Sequence, residues 1–257
     1  MGGSGVSVTR ADLAAYCINL DRATARWAEM APRLEGLGLP VTRFAAIDGR
    51  ADPERVRDAL DAAAFRANMG RDALPAEVGC YLSHLAVWEQ FLETGEPVAM
   101  VLEDDVVFHD DFLPALDAAL GAVAQWDMLK LNRIRAKLPV RQGRAGDWVL
   151  NAYLGPATGF GGYLITRELA ARLLPRMLPM RLPVDYEGTR WWAHDFRLLG
   201  LEPFPSHVDD GGDSTINGPG HAGAVKAPRH KRLGNYAMRA GNYGRRGWGM
   251  LRRRMRL

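Results

Sequence analysis

Val98-Ala99-Met100-Val101-Leu102-Glu103-Asp104-Asp105 is the stretch on which the fold turns. Its first five residues are uninterrupted apolar side chains. Successive residues of a strand point to opposite faces, so such a run marks a central strand covered on both sides. Thr94-Gly95-Glu96-Pro97 separates it from what precedes, as a turn should. The strand then delivers three carboxylates at its C-terminal end, and ligands of open α/β sheets bind beyond the carboxyl ends of their strands.

Working outward, residues 76–92 predict a helix, because Pro75 precedes them and Val78, Tyr81, Leu82, Leu85, Trp88 and Leu92 recur at helical spacing. Upstream, Tyr16-Cys17-Ile18-Asn19-Leu20 reads as a buried strand and 23–37 as a helix stopped by Gly36 and Gly38. Residues 41–47 read as a second strand ending in the Asp48-Gly49 turn. Downstream, strands are expected over 128–131, 148–154 and 160–166, and helices over 167–174, closed by Pro175, and 191–199. The alternation predicts an α/β sandwich, a mostly parallel sheet with helices on its faces. One domain is expected over 11–222, with a glycine-rich flexible leader at 1–10 and a basic tail at 223–257.

The 257 residues are 47% hydrophobic and 25% charged, enough to bury a full core with the composition of a soluble protein. No stretch approaches the ~20 apolar residues that span a bilayer, and the N-terminus lacks a secretory pattern, so a cytoplasmic location is expected. The two cysteines, Cys17 and Cys80, have no metal-site spacing and read as packed thiols. The net charge of +3 conceals a split. Eleven of the 33 lysines and arginines, and none of the 30 acids, lie from Lys226 onward, so the body carries −8 and the tail +11. Tyr236, Tyr243, Trp248, Met250, Leu251, Met255 and Leu257 stand among those tail cations. That mixture suits an anionic membrane surface, where each basic residue contributes about 1 kcal/mol. Nucleic acid is the less favoured partner and is not expected; a solvated terminus is the plain alternative.

Three adjacent carboxylates repel one another, and a hard divalent cation relieves that repulsion. Mg²⁺ or Mn²⁺ takes one or two carboxylates and completes its shell with water and diphosphate oxygens. A solvated acidic turn is the alternative. His109 is followed by Asp110-Asp111, which reads as a helix cap, so a structural role is favoured there. A further ligand is expected from His207-Val208-Asp209-Asp210-Gly211-Gly212-Asp213-Ser214, with His207 the candidate. Pro183-Val184-Asp185-Tyr186-Glu187, followed by Arg190-Trp191-Trp192 and His194-Asp195, combines acids with flat aromatics on which sugar rings can pack. Asp185 is the candidate general base, with a helix N-cap as its other reading. Asp195 is expected to pair with Arg190 or Arg197.

Asn19-Leu20-Asp21-Arg22 with Arg26, Phe44-Ala45-Ala46-Ile47-Asp48-Gly49, Glu77-Val78-Gly79-Cys80-Tyr81-Leu82-Ser83-His84 and Leu102-Glu103-Asp104-Asp105-Val106 resemble, in order, the blocks of glycosyltransferase family 25. Gly162-Tyr163-Leu164-Ile165-Thr166, Pro183-Val184-Asp185 and Asp213-Ser214-Thr215-Ile216 fall where similar segments would be, so the likeness covers about residues 14 to 217. The family includes bacterial lipooligosaccharide galactosyltransferases and collagen hydroxylysine galactosyltransferases. The resemblance implies a GT-A type nucleotide-diphospho-sugar transferase fold, a UDP-sugar donor, Mn²⁺ or Mg²⁺, inversion at the anomeric carbon, and a glycan acceptor. By carry-over Asp105 binds the metal, and Glu103 binds it through water or holds the ribose. Asn19, Asp21, Arg22 and Arg26 lie near the donor, Asp48-Gly49 forms a donor-side turn, and Ser83, His84 and Asp104 belong to the donor-binding set, with Ser83 and His84 either touching the donor or bracing the helix. The segment after Asp185 departs from the family pattern, and the basic tail lies outside it. Two other classes compete: a non-catalytic glycan- or membrane-binding module on the same fold, and a metal-dependent nucleotidyltransferase. No P-loop glycine pattern occurs.

Overall fold

In the computed structural model the described residues are 8–209 and 233–253. The first half of the chain holds β1 (Leu13–Asn19), α1 (Thr24–Leu37), β2 (Val41–Ala45), α2 (Pro53–Ala59), α3 (Ala62–Met69), α4 (Pro75–Glu93), β3 (Val98–Glu103), β4 (Val106–Phe108) and α5 (Phe112–Gly121). The second half adds β5 (Met128–Lys130), β6 (Arg135–Ala136), β7 (Pro139–Ala145), β8 (Trp148–Tyr153), β9 (Ala157–Thr158), β10 (Gly162–Thr166) and α6 (Arg167–Leu173). After these come α7 (Val184–Glu187), α8 (Trp191–His194), β11 (Leu198–Glu202), β12 (Ser206–Val208) and α9 (Leu233–Arg252).

An eight-stranded sheet runs β2-β1-β3-β10-β5-β11-β8-β7. β1 pairs in parallel with β2 and β3, and β5 with β11, whereas β10 and β8 run against their neighbours. Six of the eight strands therefore share one direction, which is the mostly parallel sheet expected, with two reversed strands inside it. Val98 to Leu102 are all fully buried, so both faces of β3 are covered, as the apolar run requires. Trp88, Phe91, Tyr163, Phe112 and Trp126 fill the core around it.

Two local devices fix the frame. Arg167 donates to Glu96 O at 2.8 Å, Leu92 O at 3.0 Å, Phe91 O at 3.1 Å and Thr94 O at 2.5 Å, closing the carbonyl end of α4 with a cation where the helix dipole is negative. At the other end, the loop after β2 crosses α4 at a glycine pair. A Cβ on Gly79 would lie 2.4 Å from Ile47 O and 2.6 Å from Gly49 N, so only glycine permits the crossing.

The structure corrects one element. Residues 191–199 do not form a helix: α8 ends at His194 because Asp195 takes φ +55°, and Leu198–Glu202 enters the sheet between β5 and β8. Its four leucine and glycine residues before Glu202 are buried on both faces, and that tertiary burial outweighs the helical spacing. Val8, within the expected leader, lies in the core. Within the expected tail, α9 packs on α3 and α8, with Met250 fully buried and Gly249 seated where a Cβ would meet the Trp191 ring at 2.8 Å.

Candidate functional site

The carboxyl ends of β1, β3 and β5 lie along one edge of the sheet. β10 runs the other way, so its entry loop, residues 157–161, arrives at that same edge. Glu103 N donates to Gly161 O at 2.8 Å and Leu131 N to Gly162 O at 3.0 Å, which ties the loop to both strand ends.

The three acids there are not equivalent. Asp104 turns inward, taking Asn19 Nδ2 on one oxygen at 2.6 Å and Arg26 Nη2 on the other at 3.0 Å. Asp105 Oδ2 also meets Arg26 Nη2, at 2.6 Å, while its Oδ1 is buried with no hydrogen-bond partner. Burial, reinforced by the neighbouring Glu103 charge and opposed by Arg26, pushes the Asp105 carboxyl up to about 7. Burial also acts on Glu103, but a hydrogen bond from His84 and the charges of Arg26 and Lys130 hold it below its ordinary value. One guanidinium therefore serves two aspartates and leaves an orphaned carboxylate oxygen beside an ionised glutamate. Glu103 and Asp105 are oxygen donors of the kind a hard divalent cation takes, and the orphaned oxygen is the observation that makes them fit one.

Glu103 is held by a directed chain of donors. Trp88 Nε1 lies 2.9 Å from Tyr163 Oη, and an indole N–H can only donate. Tyr163 Oη in turn lies 3.0 Å from His84 Nδ1, and His84 Nε2 donates to the ionised Glu103 Oε1 at 3.2 Å. Trp88, Tyr163 and His84 are all fully buried. Cys80, one helical turn before His84, brings its Sγ within 4.8 Å of the His84 and Glu103 ligand atoms. Burial drives that thiol well up, and His84 offers Glu103 a proton rather than a lone pair, so the trio reads as packing.

Opposite the acids sits Lys130, the last residue of β5 and fully buried. Its ammonium donates to Gly159 O and lies over the Phe160 ring, 5.6 Å from the centroid. Gly159 N donates to Asp185 Oδ2 at 3.0 Å, so one residue joins the amine to the candidate base. Gly159 has φ +96° and is crowded by Ile134, whose backbone N a Cβ would meet at 3.0 Å. Burial lowers Lys130 to about 8, against the pull of Asp185 and Glu103. Burial raises Asp185, opposed by Gly159 N–H and Lys130. Asn132, also fully buried, accepts from Gly162 N at 3.2 Å and leaves Nδ2 unpaired. Sequence reasoning missed Lys130, Asn132 and Gly159; a lysine among Met128, Leu129 and Leu131 was the available signal.

The remaining expected residues are placed as follows. Asn19 is 1% exposed and spends its amide on Asp104 and on Arg43, so it braces the strand ends. Asp21 pairs with Arg43 at 2.8 Å and Arg22 with Asp48 at 2.6 Å, both at the rim. Gly49 is buried against α4, where a Cβ would overlap Pro75 O, and Ser83 accepts from Ile47 N at 2.8 Å while donating to Gly79 O. These two secure the loop to the helix. His207 is exposed and turns its Nδ1 to His109 Nε2 at 2.9 Å rather than to Asp105. Its strand does reach the site, since Asp209 N donates to Asp105 O at 2.8 Å, and the rest of the expected ligand run lies outside the described residues. Asp111 occupies the N-cap of α5 but makes no side-chain cap bond. Trp191 and Trp192 do not offer open faces to a sugar: Arg253 lies 5.3 Å over the first and Arg246 4.5 Å over the second. Asp195 pairs with Arg253, because Arg190 is held by Glu187 and Arg197 by Asp127.

A cleft of about 450 Å³ lies elsewhere, lined by Asp127, Arg197, Asp195 and Arg253 among others. Asp127 and Arg197 directly precede β5 and β11, which places the cleft at the amino edge of the sheet, away from the acids. Its charges pair with one another, so the carboxyl edge, with its unpaired polar atoms, is the candidate site.

A glycosyltransferase family 25 (LPS biosynthesis protein) profile matches residues 13–187, which contain the acid cluster, Lys130 and Asp185. A glycosyltransferase 25 family member of Anopheles gambiae is 30% identical over 66% of this chain and 30% of its own length. Procollagen galactosyltransferase 1-B of Xenopus laevis is 30% identical over 54% of this chain and 26% of its own. The inactive glycosyltransferase 25 family member 3 of Mus musculus is 26% identical over 75% of this chain and 36% of its own. The matching region thus spans about a third of these relatives' length. With the profile covering more than half of its residues and every acid of the site inside it, the chain belongs to glycosyltransferase family 25.

Proposed function

We propose that this chain is an inverting hexosyltransferase that moves a sugar, galactose in the first instance, from a UDP-sugar to a hydroxyl of a cell-surface glycan such as lipopolysaccharide. The observation that carries the reading is the orphaned Asp105 oxygen beside ionised Glu103, on the same sheet edge as the half-buried Asp185. Glu103 and Asp105 would hold Mn²⁺ or Mg²⁺, which neutralises charge developing on a departing diphosphate. Asp185 takes the proton of the acceptor hydroxyl as its oxygen bonds to the anomeric carbon and the bond to the diphosphate breaks. Gly159 N–H and Lys130 favour the ionised form of Asp185 against the burial that raises it. The Trp88-Tyr163-His84 chain fixes Glu103 in one orientation. No helix among the described residues is long and apolar enough to cross a membrane, and a cytoplasmic enzyme working at the inner membrane face is the setting we propose.

Arg26, by bridging Asp104 and Asp105, favours a second reading in which the fold persists as a non-catalytic glycan-binding module. UDP release separates the two. The wild-type chain is incubated with UDP-galactose, UDP-glucose and UDP-N-acetyl sugars, with and without Mn²⁺. Slow, Mn²⁺-dependent UDP release from one donor is expected, abolished in Asp105→Ala. Release of pyrophosphate from a nucleoside triphosphate would instead indicate a nucleotidyltransferase. In Asp185→Asn, retained donor binding with lost transfer is expected; undiminished transfer moves the base to another acid.

A further inference from the structure

The helix α9 is amphipathic in an uncommon sense, because the face it buries is partly charged and the face it exposes is partly apolar. At about 100° per residue, Asn242, Arg246, Gly249 and Met250 fall on the side that meets the body. Arg246 lies over Trp192 and Met250 is fully buried, so this side is anchored. The opposite side presents Tyr236, Ala240, Gly244, Trp248 and Leu251. Tyr236 is 46% exposed, Trp248 63% and Leu251 56%, and Ala240 and Gly244 leave the surface between them low. Arg245 and Arg252 flank this strip on one edge, both exposed and in no ion pair among the described residues, and Arg239 near the start of the helix is exposed as well. The helix contains no acidic residue.

Exposing a tryptophan and a leucine to water forfeits their burial, which calls for an occupant that takes apolar side chains and offers negative charge around them. A second copy of the helix does not meet that demand, since an isologous contact would set these arginines against their own equivalents. A phosphate backbone would satisfy the arginines and leave Trp248 and Leu251 wet. An anionic bilayer satisfies both, with the rings at the headgroup boundary and the guanidinium groups at the phosphates. The helix also rests on α8, which directly follows the α7 turn bearing Asp185.

We propose that the outer face of α9 lies flat on an anionic phospholipid surface and thereby presents the Asp185 side of the fold to a lipid-anchored acceptor. The second half of that statement rests on the transferase reading; the first does not. The test is flotation of the full chain with phosphatidylcholine vesicles, with and without phosphatidylglycerol, alongside UDP release by the same samples. Binding to the anionic vesicles alone is expected. At about 1 kcal/mol per basic residue, Arg245→Glu with Arg252→Glu should weaken it at least about thirty-fold. Trp248→Ser with Leu251→Ser, which keeps every charge, should weaken it about tenfold or more. Both pairs are exposed, so UDP release and melting temperature should hold, and a variant that loses either is replaced by Trp248→Ser alone. Equal binding to neutral vesicles, full binding by the Trp248/Leu251 variant, or duplex DNA bound as tightly through Arg245 and Arg252 would each overturn the proposal. Lost UDP release with vesicle binding intact would count against the transferase reading only.

Discussion

Lys130→Met puts the least obvious feature of the site to a measurement that needs no substrate. Wild-type Lys130 is buried and brought from 10.5 to about 8, which corresponds to about 3 kcal/mol of cost for keeping the ammonium folded near neutral pH. The sign follows from the protons bound. Between the folded and unfolded values the unfolded chain holds the extra proton, so stability is lowest below about pH 8 and rises as pH climbs toward 10.5. From about pH 7 to about pH 9 the rise attributable to this one group is about 1 kcal/mol. Buried thiols and phenols act oppositely above their unfolded values, so the informative quantity is the difference between wild type and Lys130→Met. Urea denaturation at the two pH values should show wild type gaining on the variant by that amount. The variant should also move the acid limb of transfer to higher pH, since Asp185 loses the charge that opposes its burial. Parallel stability curves with an unmoved acid limb would refute the assignment of a buried, titrating amine beside Asp185.

Asp105 is raised to about 7, so in chelator Asp105→Ala should melt above wild type at neutral pH, the gap closing as pH falls toward 3.8; Mn²⁺ should raise the melting temperature of wild type but not of the variant. Equal response of both proteins to Mn²⁺ would remove Asp105 from the metal site. Tyr163→Phe strips His84 Nδ1 and Trp88 Nε1 of their shared hydrogen-bond partner and should cost about 1–3 kcal/mol in denaturant titrations; no loss would mean these buried groups are not held by Tyr163. Gly79→Ala forces a Cβ onto Ile47 O and should destabilise by about 1–3 kcal/mol, with the loop after β2 losing amide protection first.

The parts of the fold legible in the sequence are those whose periodicity and burial agree. β3 reads as a doubly covered strand because all five of its apolar residues are buried, and α4 reads as a helix because its apolar positions keep a single spacing. The carboxyl edge followed from these two, and Glu103 and Asp105 stand on it. Leu198 to Leu201 misled because a short leucine-rich run is compatible with either structure, and only the gap between β5 and β8 decides it. Asn19, Gly49 and Ser83 sit in family-like blocks yet brace the backbone, since a motif records which residues are constrained and not what constrains them. Lys130 and Gly159 were harder to read for another reason: their link to Asp185 joins three distant segments through the N–H and the C=O of one residue. The aromatic pair Trp191-Trp192 looked open because nothing in the local sequence shows that α9 covers it.

The Gly159 junction has a mechanical side. Its loop is held from outside by the two-residue ladder of β6 on β9, and Ile134, which crowds it, is 64% exposed. An exposed side chain thus bears directly on the residue that links half-buried Asp185 to its attendant amine. Alterations around Ile134 would then be felt in how the protein titrates well before they were felt in whether it stays folded.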